Sequence, residues 1–101
     1  MTEFVEVTDL DNVPAGKGRA FTVAGKEIAL FNVDGTVYAI DDGCLHHGSS
    51  LASGLVQGKI VICPAHGWRY DVTTGFLSHV PDYGVACHEV RVTDGKVFVA
   101  V

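Results

Sequence analysis

The sequence predicts an all-β fold, a small antiparallel β-sandwich or barrel, and three observations carry that expectation. The β-prone runs "ALFNV" and "TVYAI" (29–40) are separated by Asp34-Gly35, and "HEVRVT" and "KVFVAV" (88–101) by Asp94-Gly95. Asp-Gly between two such runs signals a hairpin, because both turn positions need positive φ. Apolar segments of about five residues recur with turn signals every ~8–12, the spacing of sandwiches and small barrels. No stretch has helical periodicity; residues 9–13 have room for one helical turn.

Taken in order, "FTV" (21–23) and "IAL" (28–30) flank "AGKE" and read as a third hairpin. The strand ending near Ile40 leads into a loop rich in Gly and Ser. "GKIVIC" (58–63) and "WRYDV-TTG-FLS" (68–78) read as two more pairing segments, and the hairpin over 88–101 closes the chain. With no linker or low-complexity stretch, residues 1–101 are expected to form a single domain. A domain of this size buries roughly 65% of the surface its unfolded chain exposes, enough for a real core.

Composition excludes several function classes. A hydrophobic fraction of 48% rules out disorder. The longest apolar runs, such as 97–101, fall far short of the roughly 20 residues that span a bilayer. Glu3, Glu6, Asp9 and Asp11 interrupt the N-terminal stretch, which reads as no signal peptide. The cysteine count is 3, an odd number, and two of them lie beside histidines, so a reducing, cytoplasmic setting is expected rather than a disulfide framework. A net charge of −5 argues against nucleic acid and anionic membranes as partners and leaves docking to basic protein faces.

Two short loops carry the chemistry. "CLHHG" holds Cys44, His46 and His47; "CPAHG" holds Cys63 and His66. Both fall at strand ends, so a centre built from two loops on a rigid β base is the simplest geometry. Thiolate with imidazole suits zinc, copper or an iron–sulfur centre. Zinc fingers usually pair cysteine with cysteine and histidine with histidine, whereas here each loop supplies one of each, a mixture that suits two irons. Either His46 or His47 is a chemically reasonable partner for Cys44.

Cys44-x-His46, sixteen intervening residues, then Cys63-x2-His66-Gly67 resembles the Rieske [2Fe–2S] family. "CPAHGWRYDVTTG" is similar to the second cluster loop of the Rieske ferredoxins that serve aromatic-ring dioxygenases, and "SHVPDYG" with Pro81 stands where the family has a third, proline-containing loop over the cluster. The resemblance implies one [2Fe–2S] cluster held by Cys44, His46, Cys63 and His66, with His47 a neighbour. It implies a monomeric one-electron carrier rather than an enzyme, between a flavin-dependent NAD(P)H reductase and a terminal ring-hydroxylating oxygenase. The small subunit of an assimilatory nitrite reductase is the alternative. Too little chain follows Asp94 for a catalytic oxygenase domain.

Two thiolates neutralise the charge of two ferric ions and two sulfides, so an electron enters a neutral core and the potential exceeds that of an all-cysteine cluster. Respiratory members carry one further cysteine in each loop; Ser49 and Ala65 stand there, so that disulfide cannot form. Trp68 replaces a serine that donates a hydrogen bond to sulfide, which lowers the potential, while the Tyr70 hydroxyl can raise it. The expectation is the low end of the range, somewhat above roughly −150 mV. Trp68 reads as a packing residue, Cys87 as a half-buried structural thiol, and His79 and His88 as surface or hydrogen-bonded residues. Asp41 and Asp42 read equally as a solvated turn or as docking residues.

Overall fold

The computed structural model describes residues 3–43, 50–64, 67–78, 80 and 82–100. Among these, ten strands form three antiparallel sheets. The first sheet orders β1 (Phe4–Asp9), β10 (Lys96–Ala100) and β9 (Val90–Thr93). The second orders β2 (Gly18–Val23), β3 (Lys26–Val33), β4 (Thr36–Asp41) and β8 (Cys87–His88). The third and smallest orders β5 (Leu55–Gln57), β6 (Ile60–Ile62) and β7 (Arg69–Asp71).

The two Asp-Gly hairpins form as expected. Asp34 and Gly35 adopt φ 52 and 89, and Asp94 and Gly95 adopt φ 52 and 74. Two successive positive φ values match the twist of the flanking strands, which is why short polar residues and glycine occupy these positions. The third hairpin is tighter than the sequence suggests. Its turn is Ala24-Gly25 alone, with φ 51 and 81, and Lys26 and Glu27 join β3 against Val23 and Thr22. The helical turn expected over 9–13 is a 3-10 turn, Leu10–Asn12. Four elements go beyond the sequence reading: β1, β5, a second 3-10 turn, Leu51–Ser53, and β8, whose His88 the sequence assigns to the last hairpin but which pairs with β4 instead.

The second sheet is covered on both faces, and strand alternation sets what each face meets. Ile28 and Leu30 of β3, with Val37 and Ala39 of β4, join Val97 and Val99 from the first sheet in one buried cluster. Ala29, Phe31 and Ile40 turn the other way, onto Leu51, Val61, Cys63, Tyr70, Val72, Leu77 and Val85. The unbroken apolar run "IALF" in β3 is the signature of a strand with no solvent face. The second cluster holds Leu51 and Cys63, the feet of the two histidine-bearing loops.

Among the described residues no helix is long and apolar enough to cross a membrane.

Candidate metal centre

The second loop leaves β6 at Cys63 and returns to β7 through Trp68. It closes on itself by backbone bonds: the Cys63 amide donates to the Trp68 carbonyl at 2.7 Å, and the Gly67 amide to the Cys63 carbonyl at 3.0 Å. Gly67 sits at φ 74, where a side chain would be strained. Cys63 is 1% exposed and belongs to the core cluster of Tyr70 and Leu77. A sulfur held there is oriented by packing on the protein side. Trp68 is half-buried against the same cluster, in agreement with the packing role read from the sequence.

The first loop is closed differently. Gly43 and Ser50 form an isolated bridge at its neck. The Leu51 amide donates to the Asp42 carbonyl at 2.7 Å. The Asp42 carboxylate accepts through Oδ1 from the Ser50 hydroxyl and from the Ala52 amide, both at 2.9 Å. Asp42 is 7% exposed and is neither a solvated turn residue nor a docking residue, contrary to both readings from the sequence. A hydrogen-bond role for a buried aspartate eight residues from its partner leaves no local sequence signal. Asp41 is the accessible member of the pair, with its side chain 41% exposed and Oδ1 2.8 Å from His88 Nε2. That contact ties β4 to β8 just below the loop, and it places His88 among the hydrogen-bonded histidines.

The feet of the two loops meet. An ideal Cβ on Gly54, just past the first loop, would lie 2.3 Å from the Ile62 carbonyl oxygen, next to Cys63. Leu51 and Cys63 lie in one buried cluster. The fold therefore brings the feet of the two loops together, over a floor whose buried side-chain nitrogens and oxygens all have partners among the described residues. Cys44, His46, His47 and His66 lie outside the described residues, as do His79 and Pro81. The segment around Pro81 is anchored at its base: the Leu77 amide donates to the Tyr83 carbonyl at 2.7 Å and the Val85 amide to the Gly75 carbonyl at 2.8 Å.

Behind β7, Asp71 holds a turn by accepting from the Thr73 amide at 2.8 Å and the Thr73 hydroxyl at 2.5 Å, with Lys59 Nζ at 3.5 Å. Burial pushes the Asp71 carboxyl up, but the Thr73 and Lys59 contacts outweigh it and hold the group below its ordinary value of 3.8. Cys87 is exposed rather than half-buried, with Sγ 3.6 Å from the Thr73 carbonyl. Partial burial and the nearby Asp71 charge push its thiol above the ordinary 9.0.

One Cys/His segment between β4 and the Leu51–Ser53 turn and another between β6 and β7 match the plan of an iron–sulfur domain of the Rieske type. A family model for the Rieske [2Fe-2S] domain matches residues 3–97, and the chain belongs to that family, whose cofactor is a [2Fe–2S] cluster. The chain is 40% identical over 101 residues to the ferredoxin component of the naphthalene 1,2-dioxygenase system of Pseudomonas aeruginosa, covering 98% of this chain and 97% of that one. It superposes with TM-score 0.86 and 30% identity on a chain from a complex of reduced oxygenase and oxidised ferredoxin in carbazole 1,9a-dioxygenase, covering 96% and 92% of the two chains. A chain assigned as the small subunit of an NADH-dependent nitrite reductase from Mycobacterium tuberculosis superposes with TM-score 0.91 over 100% of this chain and 96% of that one. At 24% identity that last likeness is one of fold alone.

Proposed function

We propose that residues 1–101 act as one Rieske ferredoxin domain, a cytoplasmic, monomeric carrier. It takes electrons from a flavin-dependent NAD(P)H reductase and delivers them to a terminal aromatic-ring-hydroxylating oxygenase. The observation that carries this reading is the 40% identity to a dioxygenase-system ferredoxin across nearly the whole of both chains. The nitrite reductase alternative rests on a likeness of fold alone and has no comparable support.

The proposed ligands are Cys44 and Cys63 on one iron and His46 and His66 on the other. When bound, the cluster supplies one-electron redox chemistry. The chain's own residues do the rest. Cys63 presents its sulfur from a packed floor, and the backbone bonds from Cys63 to Trp68 fix the loop that carries His66. Buried Tyr70 lies in the same cluster as Cys63, in place to tune the ligand environment.

A carrier that serves two partners must bind each weakly and release it quickly, which suits an interface below about 1,200 Å². The net charge of −5 favours long-range attraction to basic partner faces. Asp41, with its exposed side chain, is the acidic residue near the loops to test for docking. The deciding experiment is reconstitution with candidate reductase and oxygenase components. Product formation should require this chain and should fall as ionic strength rises. Oxygenase turnover that proceeds equally without it would sink the proposal.

A further inference from the structure

The neck of the first loop is closed by the Gly43–Ser50 bridge, by the Leu51 amide on the Asp42 carbonyl, and by one side chain, the Asp42 carboxylate. The 3-10 turn Leu51–Ser53 begins with amides that have no partner inside the turn. Ser50 stands at its N-cap position but makes no side-chain cap bond. Residue 42 takes over from across the loop. Its carbonyl accepts from the Leu51 amide at 2.7 Å, and its carboxylate accepts from the Ala52 amide and the Ser50 hydroxyl at 2.9 Å each. On the other side, the Asp42 amide donates to the Glu27 carbonyl of β3 at 3.0 Å. One buried residue thus joins the strand before the loop, the turn after it and the sheet below. Leu51, in that same turn, is fully buried in the cluster that contains Cys63.

We propose that Asp42 is the positioning residue of the first cluster loop: by capping the Leu51–Ser53 turn across the loop's neck, its carboxylate sets where that loop's ligands stand relative to Cys63. The inference rests on the ligand assignment above. Cys44 follows Asp42 by two residues, and a loop with a fixed neck has fewer conformations to lose when it closes on a metal. The carboxylate also places a negative charge at the foot of a centre that gains an electron, so it disfavours the reduced state.

The test measures iron and sulfide per chain, the half-time of cluster loss, the low-temperature EPR line shape and the midpoint potential. The holoprotein variants are Asp42→Asn, Asp42→Ala and Ser50→Ala. Asp42→Asn keeps an acceptor oxygen and should assemble the cluster with the parent line shape, while the reduction equilibrium shifts several-fold toward the reduced form. Asp42→Ala should shorten the half-time of cluster loss at least tenfold and broaden the EPR signal. Ser50→Ala, which removes a single bond and keeps the framework, should shorten it a few-fold. If Asp42→Ala fails to fold, the other two variants decide. Parent half-times, line shapes and potentials in both of them, or in Asp42→Ala, overturn the proposal. Cys44→Ala separates the two readings. If that variant retains two irons, the ligand assignment has failed. If it loses them while the Asp42 and Ser50 variants behave as the parent, only the positioning role has failed.

Discussion

The two cysteine-bearing loops solve one problem by different means. The second runs from Cys63 to Trp68 and closes through main-chain bonds at 2.7 and 3.0 Å, with a positive-φ glycine making the turn. The first spans 43–50 and adds a side chain, the Asp42 carboxylate, to its main-chain closure through the Gly43–Ser50 bridge and the Leu51 amide on the Asp42 carbonyl. Length explains the difference. A short loop can bond its own ends, whereas a longer one costs more chain entropy to close and brings its ends together without one backbone geometry that satisfies every amide. One carboxylate oxygen, accepting from the Ser50 hydroxyl and the Ala52 amide, supplies the missing partners. The two feet then lock at Gly54, whose missing side chain lets the first loop's exit pack on the backbone before Cys63.

The largest expected effects are at the proposed ligands. Cys44→Ala, His46→Ala, Cys63→Ala and His66→Ala should each abolish the cluster, read as loss of iron, labile sulfide and colour. His47→Ala should leave it assembled. Cluster loss in His47→Ala with retention in His46→Ala would reverse the assignment in the first loop.

Next come the glycines, which separate a clash from a backbone preference. At Gly54 a Cβ meets the Ile62 carbonyl oxygen at 2.3 Å, and backbone cannot swing away as a side chain can. Gly54→Ala should destabilise the fold by about 1–3 kcal/mol and speed cluster loss, because it forces the two loops apart. At Gly67 no described residue lies within 4 Å of an added Cβ, and the φ of 74 opposes a side chain. Gly67→Ala should cost about 1–2 kcal/mol. Thermal unfolding resolves the two, at about 4–8 °C per kcal/mol for a domain of this size. A Gly54→Ala variant as stable as the parent would mean that the contact between the feet yields without strain.

Tyr70 sharpens the comparison electronically, since it is fully buried under the second loop. Tyr70→Phe should lower the reduction potential if its hydroxyl donates toward a ligand sulfur. A hydrogen bond to a charged group, at about 1.5–3 kcal/mol, corresponds to roughly 65–130 mV for one electron as an upper range. Protein-film voltammetry giving the parent value would direct the hydroxyl elsewhere.

Asp71 gives a smaller effect with a defined sign. Its folded-state carboxyl lies below the ordinary 3.8, so its contribution is present above that value and is lost as pH falls through the folded-state value. The urea midpoint of the parent should exceed that of Asp71→Asn at neutral pH, and the gap should close in acid. A gap that stays constant with pH would remove charge from the account. The smallest effect belongs to Cys87, which lies beyond both loops. Its raised thiol should alkylate more slowly at neutral pH than an unhindered cysteine, and Cys87→Ser should keep the cluster and its potential. A shifted potential would link that strand to the centre.

Local chemistry was readable from the chain alone. Asp34-Gly35 and Asp94-Gly95 announce their hairpins because a turn's φ requirements fall on adjacent residues. The two Cys/His segments announce a metal centre because ligand spacing within a loop is short. The strands β1 and β5 were harder to see. "FVEVTD" alternates only partly, and "LVQ" is too short to carry a period. The role of Asp42 was not readable, since two adjacent aspartates look alike in sequence while one is buried and the other faces solvent. Its partners lie eight and ten residues away, across a loop whose path local propensity does not set. The same holds for Gly54, Leu51 and the shared floor under both loops. Turn conformation and ligand type are fixed by residues within a few bonds of one another. Loop closure and burial depend on contacts between distant segments, and those exist only once the sheets have packed.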